Sequence, residues 1–181
     1  MLLLNKYSEV LGLPVICIES AQKLGTVQDA IFSPLIKKAV AFSLEKRKCE
    51  FARKVIFLGN IKSIGKEAII INDHKDIDSL SKTEYLRMFE NMKLIGLKVY
   101  TTDGQDLGEV KDIIFDFKTG RIDGVEISDG LIRDLFEGRR ILPLYGKVKF
   151  GEDSIVVGSE SVEEVLTKNK GLNNILNTRG E

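Results

Sequence analysis

The sequence predicts a mainly β chain: two small antiparallel β-barrels in tandem, each followed by a short helix. Three observations predict it. Residues 24–32, LGTVQDAIF, recur as LGEVKDIIF at 107–115, with Leu, Gly, Val, Asp, Ile and Phe identical. Around this phrase the apolar residues alternate at the period of strands rather than helices. Downstream of each strand-rich stretch, Ser81-Lys82-Thr83-Glu84 and Ser161-Val162-Glu163-Glu164 fit the S-x-x-E capping box, in which two orphan backbone donors are satisfied reciprocally.

The repeat extends beyond the phrase. At an offset of 83, AVAFSL (39–44) meets IDGVEI (122–127), apolar on apolar at 39/122, 42/125 and 44/127. Upstream the offset is 84, and GLPVI (12–16) meets GLKVY (96–100). Downstream it is 86, and GKEAIII (65–71) meets GEDSIVV (151–157). Matched blocks in one order with small length changes argue for duplication of a unit of about 80 residues. The expected domains are a first barrel over 1–78, a helical linker over 79–93, a second barrel over 94–158, and a helix with a frayed tail over 159–181.

The second copy reads most clearly. Val99 to Thr102 are strand formers, and Asp103-Gly104 is a hairpin signal. Residues 107–117 read as one strand, with Val110, Asp112 and Ile114 on one face and Ile113, Phe115 and Phe117 on the other. Such a strand is covered on both sides. Lys118-Thr119-Gly120 is a turn, with Gly120 suited to a positive φ. A return strand covers 121–128, an irregular arm 131–140, and short strands 141–144, 147–150 and 154–158. Closure into a small barrel removes the exposed edges an open sheet would leave. The first copy repeats the pattern, but its hairpin tip, Ser33 to Lys38, has no glycine. After the strands, Tyr85, Phe89 and Met92 mark one helix face, and Val162, Val165 and Leu166 mark another.

Composition limits what the chain can be. Its 181 residues are 43% hydrophobic, enough to fill a core, and 30% charged. No apolar run approaches the roughly 18 residues that span a bilayer. The start, MLLLNKYSEVLGLPV, carries Asn5, Lys6 and Glu9 within its apolar part and does not read as a signal peptide. Cys17 and Cys49 are too few for a disulfide framework, which favours reduced thiols and a cytoplasmic location.

GLKVYTTDGQDLGEVKDIIFDFKTGRIDGVEI, followed by ILPLYGKVKFGEDSIVV, resembles the PRC-barrel domain. The likeness lies in the G-x-x-V strand, the D-G turn, the L-G-x-V-x-D-I-I-F-D strand, the T-G-x-I hairpin, the proline-containing strand and the final G-x-D-x-I-V-V hairpin. The copy at 94–158 carries all of them. The copy at 10–72 is degenerate: Glu19-Ser20-Ala21-Gln22 replaces the D-G turn, the T-G hairpin is lost, and Phe57 stands where the other copy has Pro143. PRC-barrels occur in a photosynthetic reaction-centre subunit, a ribosome-maturation factor and small bacterial and archaeal proteins. The resemblance implies docking onto larger assemblies and no cofactor.

Reactive groups are sparse. The single histidine, His74, lies in the polar run NDHKDID, so a histidine-based triad has nowhere else to draw its base. The run fails as a calcium loop, because Asp78 stands where glycine is required. Residues 59–67 fail as a phosphate loop, with five residues between the glycines and Glu67 in place of Ser/Thr. No paired spacing for a metal site exists. The repeated Asp29 and Asp112 admit two readings, an anchor for a strand bulge or a ligand contact.

Charge is unevenly spread. Residues 1–71 hold 11 Lys/Arg and 6 Asp/Glu, whereas 96–158 hold 9 and 12. The first barrel is thus basic and the second acidic. The expected function is a non-enzymatic adaptor that docks onto a protein assembly through the arm, with Arg133, Asp134, Glu137, Arg139 and Arg140 as candidate contacts. The alternative is an RNA-processing or ribosome-assembly accessory protein that binds RNA, or an acidic partner, through Lys37, Lys38, Lys46, Arg47, Lys48, Arg53 and Lys54. Basic and acidic barrels also suit head-to-tail self-association. Neither a metal nor membrane insertion is expected.

Overall fold

The computed structural model describes residues 4–33, 36–46, 52–88, 93–128, 140–144 and 146–159. The chain is mainly β, with two short α-helices among the described residues. The strands are β1 (Leu4–Lys6), β2 (Pro14–Cys17), β3 (Lys23–Ser33), β4 (Lys38–Leu44), β5 (Arg53–Phe57), β6 (Ile61–Ile64), β7 (Ile69–Ile71), β8 (Asp78–Leu80), β9 (Lys98–Thr101), β10 (Asp106–Asp116), β11 (Ile122–Ser128), β12 (Arg140–Pro143), β13 (Val148–Phe150) and β14 (Ser154–Val157). Helix α1 is Tyr7–Val10 and α2 is Lys82–Met88.

The strands form two sheets. One runs β6-β7-β2-β3-β4-β5-β8. The other runs β13-β14-β9-β10-β11-β12, with β1 added alongside β10. Apart from β1 and β8, the two orders are the same. The registers agree as well. Val15 pairs with Gly25 and in parallel with Ile69, and Val99 pairs with Gly108 and in parallel with Ile155. Ser43 faces Val55, and Glu126 faces Ile141. These equivalences fall at the offsets of 84, 83 and 86 read from the sequence. A register shift follows Val15 in one sheet and lies between Asp106 and Gly108 in the other. Among the described residues no pairing joins β6 to β8 or β13 to β12, so each sheet is an open path rather than a fully closed barrel.

Two compact units form, and they do not follow chain order. The first comprises Met1–Lys93 with Ile114–Ile122, and the second Leu94–Ile113 with Asp123–Glu181. The far part of the β10–β11 hairpin therefore belongs to the first unit. The reason is its aromatic and backbone partners. Phe115 is fully buried and lies edge-on to both Phe32, at 6.2 Å between centroids, and Phe42, also at 6.2 Å. Tyr7 stacks obliquely on Phe32 at 6.0 Å. Asn5 of β1 pairs with Phe115, and the Ala39 amide donates to the Gly120 carbonyl at 2.8 Å. Both faces of β4 are covered: Phe42 and Leu44 point to one, and Ala41 and Ser43 point to the other, all buried. The second unit buries Val99, Val110, Ile113, Val125, Leu142 and Ile155.

The expected linker at 79–93 is part of the first unit instead. β8 pairs with β5, and Tyr85 of α2 packs on Ile31, Ala41 and Val55. The capping box forms as the sequence proposes: the Glu84 amide donates to Ser81 Oγ at 3.2 Å, and the Ser81 amide donates to Glu84 Oε2 at 2.8 Å. Its counterpart at Ser161, the stripe at 162–166 and the arm at 131–139 lie outside the described residues, as do Phe89 and Met92.

The turns expose the difference between the two sheets. Gly104 and Gly120 have φ of 89° and 71°. At the same places, 83 residues upstream, Ala21 and Lys37 have φ of 52° and 53°. The backbone path is kept, but residues with a Cβ hold it, at a cost that glycine avoids. Gly120 has a second constraint, since a Cβ there would run into the Ala39 carbonyl.

Phe115→Ala is expected to lower unfolding free energy by about 3–5 kcal/mol in chemical denaturation, and residues 1–93 alone are expected to lack a cooperative transition. A sharp, full-strength transition for that fragment would refute the assignment of Ile114–Ile122 to the first unit. Ala21→Gly is expected to stabilise the chain by about 0.5–1 kcal/mol, and Gly120→Ala to destabilise it by about 2 kcal/mol or more; the shift in denaturation midpoint checks both.

Candidate functional site

Strand alternation divides the predicted basic residues. Successive side chains of a strand point to opposite faces, so Arg53 and Lys54 of β5 serve different surroundings. Arg53 shares a face with Val55, which lies opposite Ser43. Its guanidinium sits over the Tyr85 ring, 4.7 Å from the centroid. Lys54 points the other way, toward Leu44.

On the Arg53 face a polar cluster ties both helices to the sheet. The Tyr7 hydroxyl of α1 donates to Asp29 Oδ1 at 2.8 Å. The Ser43 hydroxyl donates to the Asp29 carbonyl at 3.4 Å. Tyr85 is 5% exposed. Its burial raises its hydroxyl above the ordinary tyrosine value of 10.0, and the Asp29 carboxylate raises it further, while Arg53 opposes both. Asp29 stands beside a register shift between Val27 and Asp29, so it sits at a bulge and holds an aromatic hydroxyl. Asp112 is 2% exposed, and its Oδ1 accepts the Ile113 amide at 2.8 Å. The recurring aspartate thus binds a side chain in one sheet and backbone in the other.

On the Lys54 face the residues make a cleft of about 260 Å³. The start of β3 supplies Lys23, Leu24, Gly25 and Thr26. The end of β4 and the residues after it supply Leu44, Glu45 and Lys46, and β5 supplies Lys54. Its walls are fixed by backbone bonds: the Glu45 amide donates to the Thr26 carbonyl at 2.8 Å, and the Val27 amide to the Leu13 carbonyl at 2.9 Å. Of the sequence candidates, the cleft brings together Lys46 and Lys54. Lys37 and Lys38 are at the far end of β4, about 20 Å away for a strand of that length, where Lys38 bridges Arg121. Arg47 and Lys48 lie outside the described residues. Sequence reasoning missed Lys23 and Glu45, although Lys23 stands directly before the repeated phrase where the other copy has Asp106.

The candidates of the second unit are less fully placed. Arg133, Asp134, Glu137 and Arg139 lie outside the described residues. Arg140 is half-buried, and its guanidinium donates to the Leu107 carbonyl at 3.2 Å, which fixes the base of the arm to β10.

The other polar groups singled out in the sequence are held in turns. His74 Nε2 lies 2.9 Å from Ser20 Oγ. Asp73 accepts the Lys75 amide at 3.0 Å, and Asp76 Oδ2 accepts the amides of Asn72 and Asp73 at 3.0 and 2.9 Å. Asp106 Oδ1 accepts the Gly108 amide at 2.8 Å, which holds the Asp106 carboxyl below its ordinary range. Among the described residues no group of three or more His, Cys, Asp or Glu is placed to hold a metal ion. The Cys17 thiol is free and buried, and it donates to the Asn72 carbonyl at 3.4 Å; Cys49 lies outside the described residues. No described helix is long and apolar enough to cross a membrane.

These features define a mainly β protein whose polar groups serve turns and surfaces. Residues 87–161 match the PRC-barrel domain family. The match covers β9 to β14 and leaves the sheet of the first unit outside it. No curated protein matches the chain.

Of the four tyrosines, Tyr85 is expected to ionise above the ordinary value of 10.0, and Tyr85→Phe to remove that step from an ultraviolet absorbance titration. The fold favours the neutral phenol. Its contribution to stability is therefore complete below the unfolded value and lost as pH rises through the folded one, a slope that Tyr85→Phe should flatten.

Proposed function

We propose that the protein is a non-enzymatic adaptor: two PRC-type barrels in tandem, located in the cytoplasm, that dock onto a larger protein assembly. The observation that carries this reading is the shared strand order and register of the two sheets. It gives the recurring phrase a structural cause. Val27 and Val110, and Phe32 and Phe115, recur because they fill cores, and the recurring aspartates hold a hydroxyl and an amide. What the copies share is scaffold rather than reactive chemistry. The match of 87–161 to the PRC-barrel domain family supports the same conclusion, because that fold serves protein interaction. Function then resides in the parts the copies do not share, among them the arm at 131–140.

The test is affinity purification with the full chain, with and without nuclease. Partners recovered equally in both samples, and reduced several-fold by Arg133→Glu with Arg139→Glu, are the expected result. Arg140 is left intact because it anchors the arm at Leu107. Unchanged recovery by the double variant would remove the arm as the docking surface. Loss of partners on nuclease treatment would favour the RNA-processing or ribosome-assembly role instead.

A further inference from the structure

We propose that the outer edge of β12 takes an extended segment of a partner protein as an added antiparallel strand. The proposal rests on the docking reading and names its mode. Three observations point to it: how the first sheet covers the same edge, what the second unit has in place of that cover, and which way the backbone of β12 faces.

β5 and β12 hold the same place in their sheets, since Ser43 faces Val55 as Glu126 faces Ile141. In the first unit β8 lies on the far side of β5, with Asp78 opposite Val55 and Leu80 opposite Arg53. The chain then enters α2, whose Tyr85 packs on Val55. Val55 is 0% exposed, whereas Ile141, its counterpart, is 47% exposed. Among the described residues no strand pairs with the outer side of β12.

The residues that make β8 have no equivalent in the second unit. Nine residues, 72–80, separate β7 from the capping Ser81, but three, 158–160, separate β14 from Ser161. Two of these three are held at the opposite side of the sheet. The Gly158 amide donates to the Lys147 carbonyl at 3.0 Å, and the Ser159 hydroxyl donates to Asp103 Oδ1 at 2.8 Å. Three strands lie between β14 and β12, and residues 159–181 contain no aromatic to match Tyr85. The occupant is therefore assigned to another protein.

The backbone of β12 suits an added strand. The Leu144 amide donates to the Asp123 carbonyl at 3.0 Å, and bonding alternates along an antiparallel pair. Leu142 thus turns its backbone groups toward β11, and Ile141 turns its N–H and C=O outward. Pro143 has no N–H to offer, but β8 stops at Val55 and does not reach Phe57, the counterpart of Pro143. The bond from the Arg140 guanidinium to the Leu107 carbonyl holds β12 in place, which lowers the ordering cost of binding. Main-chain bonds along such an edge supply affinity, and alternate side chains supply specificity. The chemistry of the partner follows from β8 and α2: a short extended stretch ending in an apolar residue, then a helix start with an aromatic ring that covers Ile141.

The test is titration of the isotope-labelled full chain with a synthetic peptide of residues 77–88, IDSLSKTEYLRM, followed by amide chemical shift and hydrogen exchange. The peptide is expected to saturate, to shift the amides of Arg140–Leu142, and to slow exchange of the Ile141 amide about tenfold. Ile141→Pro removes the outward donor and spares the bonds to β11. Ile141→Lys keeps the donor but sets a charge on the edge. Each should weaken binding about tenfold, and Ile141→Val should preserve it. Tyr85→Ala in the peptide should weaken it several-fold. No saturable binding, affinity unchanged in both the proline and lysine variants, or shifts confined to Arg53–Val55, where the peptide would merely replace β8, would overturn the proposal. Slow exchange of the Ile141 amide in the free monomer would overturn it too, because the chain's own residues would then cover the edge. Concentration-dependent self-association that Ile141→Lys abolishes would give the edge to a second copy instead. If the arm variants reduce the partners recovered by affinity purification and Ile141→Lys does not, docking stands and strand addition fails.

Discussion

Phe115 meeting Phe32 and Phe42 is the contact on which the rest of the first unit depends. Phe32 and Phe115 are the last residues of the two recurring phrases, so the phrases end where these two rings pack edge to face. Burying an aromatic side chain of this kind contributes on the order of 2–3 kcal/mol, and well-set aromatic pairs add about 0.5–1.5 kcal/mol each. Phe117 and Ile122 of the same segment are buried as well. Around it, β1 and the Ala39–Gly120 bond close the backbone of the same segment. Gly120 must be glycine for two separate reasons, its φ and the proximity of the Ala39 carbonyl. One side chain and one turn thus commit a piece of the later sequence to the earlier unit.

This commitment explains what the sequence could and could not reveal. The strand positions of the second sheet, the two offsets flanking the phrase, the capping box at Ser81 and the φ of Gly120 were all legible, because each is set by local pattern: period-two burial, S-x-x-E spacing, a glycine in a tight turn. The unit boundary was not. Phe115 alternates like any strand residue, and nothing in that alternation says which core receives it. β1 and β8 were also missed. Each has three residues, too few to establish a period, and each is recruited by pairing with a distant strand. The run at 79–93 read as a helical linker because its capping box and the face at Tyr85, Phe89 and Met92 mark a helix without saying what it packs on, yet Leu80 and Tyr85 suffice to dock it.

The site was legible in composition but not in placement. Counting charges correctly marks 1–71 as basic, but strand parity then separates neighbours. Arg53 goes to the Tyr85 ring and Lys54 to the cleft, although they are adjacent in sequence. Lys37 and Lys38 are separated from Lys46 by the whole of β4. Conversely, Lys23 joins Lys46 across 23 residues, because the antiparallel pairing of β3 with β4 brings the start of one beside the end of the other. A cluster in sequence is therefore a poor guide to a cluster in space on a sheet. The register is the better one.

Ala21 and Lys37 bear on how the two sheets came to differ. A left-handed backbone is costly for a residue with a Cβ, on the order of 1 kcal/mol or more. If the turns were free to relax, a residue with a Cβ would leave this path. Instead φ stays positive at both positions. The strands on either side fix the path: the Cys17 amide bonds the Gln22 carbonyl across the first turn, and Lys38 and Ala39 engage Arg121 and Gly120 beyond the second. Strand pairing outweighs turn preference. The same hierarchy lets Lys23 stand where the other sheet has Asp106 without disturbing either core, since Lys23 pairs with Ile16 and Asp106 with Tyr100 rather than with Val15 or Val99. Backbone register is the quantity the two sheets share, and the side chains that face water on it are free to differ.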